Sequence, residues 1–171
     1  MTDADRSAEY ARILAENRRY TEAFDRSALT AAPLSKLVVV ACMDARLDVE
    51  ETLGLRTGDA HIIRNAGGLV TDDVIRSLIV SLELLGTQEI VLIEHTGCGL
   101  HDVDEDALRE RVAERGGTSA DAVGIAFGGF ADLEENVRRQ VAILREHPYL
   151  ERVPVHGLVF DVSTGQLHEV A

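Results

Sequence analysis

The chain of 171 residues carries 30 acidic and 17 basic side chains, which gives a formal net charge of −13. Such a charge repels phosphates and anionic lipid heads, so we expect neither nucleic acid nor a membrane as a partner. The length fits a single domain, predicted over residues 1–171, in which residues 1–30 form an N-terminal helical arm.

The first residues lack the basic and apolar regions of a secretory signal, so the cytoplasm is the expected location. Residues 4–25 instead follow a helical pattern, with a thin apolar stripe of Tyr10, Ile13, Leu14 and Phe24. A helix with so little apolar surface is rarely stable alone, because most helical stability in proteins comes from packing. We therefore expect this helix to pack on a partner subunit or on the edge of the domain.

The rest of the chain alternates apolar runs with helical patterns. Strands are predicted at residues 37–41, 60–64, 90–94 and 155–162, followed by a turn and a hairpin strand at 166–170. Helices are predicted between the capping Thr71 and the stop at Gly86, and over residues 102–115 and 131–147. Strands that alternate with helices predict an α/β fold with a mainly parallel sheet and one antiparallel edge strand.

Two of the predicted strands are followed directly by potential metal ligands. Cys42 follows the strand at 37–41, and His95 and Cys98 follow the strand at 90–94. Because ligands gather at the carboxyl ends of parallel strands, we expect the three side chains to meet at one rim of the sheet. Two thiolates and one imidazole suit Zn²⁺ and leave a fourth position for water, which is the arrangement of a catalytic site.

Asp44 and Arg46 follow Cys42 in the pattern Cys-x-Asp-x-Arg. In an extended chain Asp44 points to the same side as Cys42, so it is predicted either as a fourth zinc ligand or as an acceptor for zinc-bound water. Arg46 is predicted to orient the carboxylate of Asp44 through a bidentate pair. Zinc lowers the pKa of bound water from about 15.7 to about 7, so these residues predict hydroxide attack on a small electrophilic carbon.

The segments CMDAR (42–46), RNAGG (64–68) and HTGC (95–98) resemble the motifs of the beta-class carbonic anhydrases in sequence and in spacing. The short chain is most similar to the small actinobacterial-type members of that family. The resemblance covers residues 37–100 and extends more loosely to the C-terminal GLVFDVSTGQL. It implies a carbonic anhydrase that converts carbon dioxide reversibly to bicarbonate and a proton with zinc-bound hydroxide.

The resemblance also implies a structure and roles for single residues. The sheet has four parallel strands and an antiparallel fifth, with helices on both faces, and the protein is a homodimer or a dimer of dimers whose N-terminal helix packs on the partner. Asp44 is a zinc ligand in a closed, inactive state only, and pairs with Arg46 in the open state. The permanent zinc ligands are Cys42, His95 and Cys98, and the substrate pocket is lined by Asn65, Ala66, Gly67 and Gly68.

Several alternatives stay open. The same zinc site suits a carbonyl sulfide or carbon disulfide hydrolase. A noncatalytic zinc- or redox-sensing protein would use Cys42 and Cys98 to bind zinc or to form a disulfide, and a Cys–His hydrolase with Cys42 as nucleophile would be active without metal. His101 is either a proton relay or an ordinary surface residue. Glu94, where family members often have glycine, and the absence of Trp leave the lining of the pocket and any regulation by bicarbonate open.

Overall fold

The computed structural model describes residues 3–171, with side chains from residue 8 onward, so Met1 and Thr2 of the predicted arm lie outside the described residues. The chain forms two compact units, Met1–Thr30 and Ala31–Ala171. The first unit contains helix α1 (Asp3–Glu22), which ends three residues earlier than predicted. Of the predicted apolar stripe, Tyr10, Ile13 and Leu14 lie on this helix and Phe24 follows it, and all four side chains are exposed.

The second unit is built on a five-stranded sheet. Its strands are β1 (Leu37–Cys42), β2 (Ala60–Asn65), β3 (Glu89–His95), β4 (Val155–Phe160) and β5 (Leu167–Glu169). The strand order is β2-β1-β3-β4-β5, with β1 to β4 parallel and β5 antiparallel to β4. The predicted mainly parallel sheet with one antiparallel edge strand is therefore confirmed.

Four helices belong to this unit: α2 (Val49–Leu53), α3 (Asp72–Glu83), α4 (Glu105–Gly116) and α5 (Leu133–Glu146). The last three correspond to the predicted helices, and each begins where a side chain accepts a hydrogen bond from a backbone amide of the first turn. These caps are Thr71, Asp104 and Asp132. Helix α2 was not predicted, because its five residues are too few to show a helical period.

The two faces of the sheet carry separate apolar clusters. On one face α3 and α5 pack against the central strands, and the stripe predicted for α5 supplies the buried Val137, Val141 and Leu144. On the other face Leu47 and Val49, at the start of α2, pack against Ile93 and its neighbours. Helices thus lie on both faces of the sheet, α3 and α5 on one and the short α2 on the other. Within residues 3–171, no helix combines the length and the apolar character needed to cross a membrane.

Candidate metal centre

Three potential metal ligands meet where the order of the strands reverses. From β1 the chain passes to β2 on one side and then to β3 on the other, so a crevice opens between the carboxyl ends of β1 and β3. Cys42 is the last residue of β1 and His95 the last of β3. Cys98 follows a turn at Gly97, whose φ of 64° favours glycine. The ligand atoms of the three buried residues all lie within 4.8 Å of one another.

The orientation of His95 fits a metal ion. Its Nδ1 lies 2.9 Å from the carbonyl oxygen of Thr96, and because a carbonyl only accepts, Nδ1 carries the proton. Nε2 therefore presents a lone pair to the two sulfur atoms. Among the described residues, Nε2 is the buried side-chain nitrogen or oxygen that has no hydrogen-bond partner. An unpaired buried nitrogen beside two thiols fits a cation that takes sulfur and nitrogen ligands.

The local electrostatics favour a thiolate at Cys42. The hydrogen bond from Cys98 holds the pKa of Cys42 well below its usual range, and His95 and the backbone amides of Asp44 and Gly67 act in the same direction. That thiolate in turn raises the pKa of Cys98 and of His95. A divalent cation stabilises both thiolates, because cysteine binds metals in its deprotonated form.

Asp44 and Arg46 form the expected bidentate pair next to the cluster. Arg46 donates from Nε to Asp44 Oδ1 at 2.9 Å and from Nη2 to Oδ2 at 2.8 Å, and its backbone amide also donates to Oδ1 at 2.9 Å. Nη2 reaches the carbonyl oxygen of Gly97 at 2.9 Å as well. These bonds from Arg46 hold the pKa of Asp44 well below its usual range. Asp44 Oδ2 lies 3.7 Å from His95 Nε2, so the carboxylate faces the cluster.

Comparison with known proteins decides the family. The profile of the carbonic anhydrase family matches residues 37–167. Beta-carbonic anhydrase 1 of Mycobacterium tuberculosis is 41% identical over 158 residues, which cover 92% of this chain and 94% of the relative. The chain belongs to the beta-carbonic anhydrase family.

Among the other similar proteins, some are named carbonic anhydrases and some carbon disulfide hydrolases. A carbonic anhydrase from Streptococcus mutans has the same fold, with a TM-score of 0.88 and 40% identity, over 95% of this chain and 97% of its own. A carbon disulfide hydrolase from Acidithiobacillus thiooxidans is 37% identical over 150 residues, 77% of this chain and 75% of its own. The mycobacterial relative agrees with the predicted resemblance to actinobacterial-type members.

The predicted pocket segment of this beta-carbonic anhydrase is a tight turn against the metal cluster. The Asn65 side chain donates to the carbonyl of Leu69 at 2.8 Å and accepts from its amide at 2.9 Å, which closes the turn. Ala66 is exposed, and the amide of Gly67 faces Cys42. Gly68 is buried against the ends of β1 and β3. This packing gives the turn a structural role, and its contact with substrate stays a prediction.

One apolar wall of the site was not predicted from the sequence. Phe130 is buried together with Cys42 and Cys98, and Leu100 and Leu133 pack against them. A backbone bridge places Phe130 there, since its amide donates to the carbonyl of Leu100 at 3.1 Å. No short motif marks this residue, because only the pairing of two loops brings it to the cluster.

Behind the cluster lies a buried carboxylate whose partners were also missed. Glu94 is 1% exposed, and both of its oxygens accept from Asn136 Nδ2, at 2.7 and 2.8 Å. Asn136 Oδ1 accepts in turn from Arg139, which fixes the orientation of the amide. Burial raises the pKa of Glu94 to about 7, and the hydrogen bonds from Asn136 oppose that shift.

His101, by contrast, is exposed and faces the carbonyl of Ala131, so its predicted relay role stays open.

Proposed function

We propose that this beta-carbonic anhydrase binds Zn²⁺ through Cys42, His95 and Cys98 and catalyses the reversible hydration of carbon dioxide to bicarbonate and a proton. The observation that carries the proposal is the buried cluster of two thiols and an unpaired imidazole nitrogen, with a carboxylate facing it. When bound there, zinc supplies a water whose pKa is about 7 as the nucleophile.

The residues around the cluster prepare it for the ion. Thr96 fixes the tautomer of His95, so that Nε2 is free to bind. Backbone amides face both sulfur atoms, those of Asp44 and Gly67 at Cys42 and that of Leu100 at Cys98. Amides that donate to thiolates offset part of their negative charge, so a bound ion would be more electrophilic than one held by two thiolates without such donors.

Asp44 is the group that orients the attacking water. Its carboxylate stays ionised because Arg46 holds its pKa well below the usual range, so both oxygens only accept hydrogen bonds. We assign Asp44 to orient the attacking water by accepting its hydrogen bond, and Arg46 to keep the carboxylate in that direction. We also propose the closed state, in which Asp44 leaves Arg46 and becomes a fourth ligand.

The apolar wall formed by Phe130, Leu100 and Leu133 suits an apolar substrate. Carbon dioxide carries no charge and needs no strong hydrogen-bond donor in its binding site. Bicarbonate is charged and is solvated better by water than by an apolar surface. The wall also excludes bulk water from the buried side of the cluster. We propose that carbon dioxide approaches between this wall and the turn at residues 65–68.

A metal analysis combined with stopped-flow assays across pH tests the proposal. The purified protein is expected to contain one zinc ion per chain and to hydrate carbon dioxide, with activity that rises as pH rises through about 7. Carbonyl sulfide and carbon disulfide are assayed in parallel, because the same site can attack either. Turnover of the sulfur substrates alone would favour a hydrolase of the carbon disulfide type. Activity in the metal-free protein would favour Cys42 as a nucleophile, and zinc without turnover would favour a sensor.

Assembly, domain organisation and location remain part of the proposal. We propose a single domain over residues 1–171, with residues 1–30 as its arm, assembled in the cytoplasm as a homodimer or a dimer of dimers. The support is the exposed apolar stripe of α1, which includes Tyr10, Ile13 and Leu14. Sedimentation measurements are expected to show a dimer or tetramer, and Leu14→Glu is expected to weaken it. A wild-type monomer at assay concentrations would contradict the assembly.

A further inference from the structure

Arg64, at the end of the edge strand β2, spans two backbone carbonyl groups of the neighbouring loop. Its Nε donates to the carbonyl oxygen of Cys42 at 2.9 Å, and its Nη2 donates to that of Asp44 at 2.7 Å. In the sequence, Arg64 is the first residue of the RNAGG segment. It is neither a proposed zinc ligand nor a member of the Asp44–Arg46 pair. Its guanidinium thus links the main chain of Cys42 to the main chain of Asp44, the two loop residues whose side chains take part in the proposed site.

The loop needs such support because the sheet ends there. The parallel pairing of β1 with β3 stops at Ala41 and Ile93, one residue before Cys42. On the other side, the pairing with β2 continues, since the amide of Met43 donates to the carbonyl of Asn65 at 2.8 Å. Together with the bond from Arg64 Nε, this fixes the peptide between Cys42 and Met43 at both its C=O and its N–H.

The second bond from Arg64 fixes the next part of the loop. The carbonyl of Asp44 accepts from Arg64 Nη2 and also from the amide of Leu47 at 3.1 Å, which closes a turn. The peptide that follows Asp44 is therefore held on both lone pairs of its oxygen. The next peptide carries the amide of Arg46, which donates to Asp44 Oδ1.

We propose that Arg64 is a positioning residue, whose planar guanidinium fixes the main chain on both sides of Met43 so that the side chains of Cys42 and Asp44 are directed at the same point. The inference rests on the function proposed above, in which that point holds zinc. Arg46 and Arg64 divide the task. Arg46 orients the carboxylate of Asp44, and Arg64 orients the backbone from which the carboxylate and the Cys42 thiolate extend.

The geometry requires arginine at this position. A guanidinium presents several N–H donors in a rigid plane, so two of them reach two carbonyl oxygens at once. A lysine ammonium is a compact charge on a flexible stem, so it can restore one of the contacts without holding both in a fixed plane. Arg64→Lys is therefore expected to rescue part of what Arg64→Met loses.

The test compares Arg64→Met and Arg64→Lys with the wild type after each protein is loaded with cobalt(II) or zinc to the same measured stoichiometry. The visible spectrum of cobalt(II) depends on the ligands and their geometry, so it reports the position of the donors independently of turnover. We expect an altered spectrum at one fixed pH and a kcat for carbon dioxide reduced about 10- to 100-fold in Arg64→Met. Arg64→Lys is expected to fall between this variant and the wild type.

Arg145→Met is the matched control, because Arg145 also donates from Nη2 to a backbone carbonyl, that of Val155 at 2.7 Å, at a distance from the cluster in sequence and in the sheet. It is expected to lose stability but to keep the wild-type cobalt spectrum. A wild-type spectrum and kcat in loaded, folded Arg64→Met would overturn the inference, as would an equal spectral change in Arg145→Met. If Arg64→Met does not fold, the same criteria apply to Arg64→Lys. A wild-type protein that binds cobalt without hydrating carbon dioxide would refute the proposed function, while the spectra would still decide the role of Arg64.

Discussion

Asp44 Oδ2 lies 3.7 Å from His95 Nε2, while Arg46 holds the same carboxylate through hydrogen bonds to both of its oxygens. The carboxylate therefore lies beside the Cys42–His95–Cys98 cluster and is held there by Arg46. In the proposed function, a bound metal would compete with the guanidinium of Arg46 for Asp44. The proposal predicts that the balance between the two would decide whether a fourth position is open to water.

Removing Arg46 is expected to disturb this balance. Arg46→Ala deletes the side-chain hydrogen bonds to Asp44 but none of the three proposed zinc ligands. We expect wild-type zinc content and a kcat/KM reduced about 10- to 100-fold, measured by metal analysis and stopped-flow hydration. Arg76→Ala, which breaks an exposed pair with Asp73 on α3, serves as the control and should keep full activity. Unchanged kcat/KM in zinc-loaded Arg46→Ala would refute this role for Arg46.

Cys98→Ser tests the metal site itself. A serine hydroxyl is a poor zinc ligand compared with a thiolate, and the two remaining ligands cannot complete the site. The variant is expected to lose both zinc and carbon dioxide hydration, as measured on the same preparation. Its unfolding temperature should match that of the metal-free wild type, which separates loss of metal from general misfolding. A full complement of zinc in Cys98→Ser would rule out the proposed ligand set.

Gly68 is required by close packing as well as by its backbone. Its φ is 68°, and a Cβ there would lie 3.0 Å from both the amide nitrogen of Cys42 and the carbonyl oxygen of Ile93. Gly86 has a similar φ of 74° but nothing within 4 Å of a Cβ, so Gly86→Ala measures the backbone strain alone. That strain is about 1–2 kcal/mol, and crowding in Gly68→Ala adds about 1–3 kcal/mol.

Denaturant unfolding of the two alanine variants measures this difference. Because the crowded atoms belong to Cys42 and its neighbour strand, Gly68→Ala is also expected to bind zinc more weakly than Gly86→Ala. Equal losses of unfolding free energy in the two variants would show that the space behind the cluster is not limiting.

Glu94 predicts a particular dependence of stability on pH. Its pKa is raised from an ordinary 4.5 to about 7 in the folded protein, so the native state holds this proton more tightly than the unfolded chain. Below about pH 4.5 the carboxyl is protonated in both the folded and the unfolded state, so the free energy of unfolding does not change with pH through this group. Between these values unfolding releases a proton, so the free energy of unfolding falls as pH rises, by a total of about 3 kcal/mol.

Glu94→Gln removes this titration. Denaturant unfolding of metal-free wild type and variant at about pH 5 and pH 8 is expected to show a smaller loss of stability in the variant. Glu83→Gln, at an exposed position of α3, is the matched control and should keep the wild-type pH dependence. An identical pH dependence in wild type and Glu94→Gln would contradict the raised pKa.

The α/β fold and the set of candidate ligands follow from the amino-acid sequence alone. Strand ends are local features, since an apolar run such as residues 37–41 shows where a buried strand stops and therefore which residue follows it. The pattern Cys-x-Asp-x-Arg also acts over a few residues, where an extended chain has only one geometry. This is why the bidentate contact between Asp44 and Arg46 was expected before the structure.

The surroundings of those residues depend on how distant parts of the chain pack together. Phe130 reaches the cluster through the pairing of two distant loops, Asn136 reaches Glu94 from another helix, and Arg64 reaches the carbonyls of Cys42 and Asp44 from the edge strand. None of these contacts follows from a local period, because each depends on how separate elements pack. The candidate ligands are thus encoded at the ends of two strands, and the groups that hold them in place are brought together by the fold.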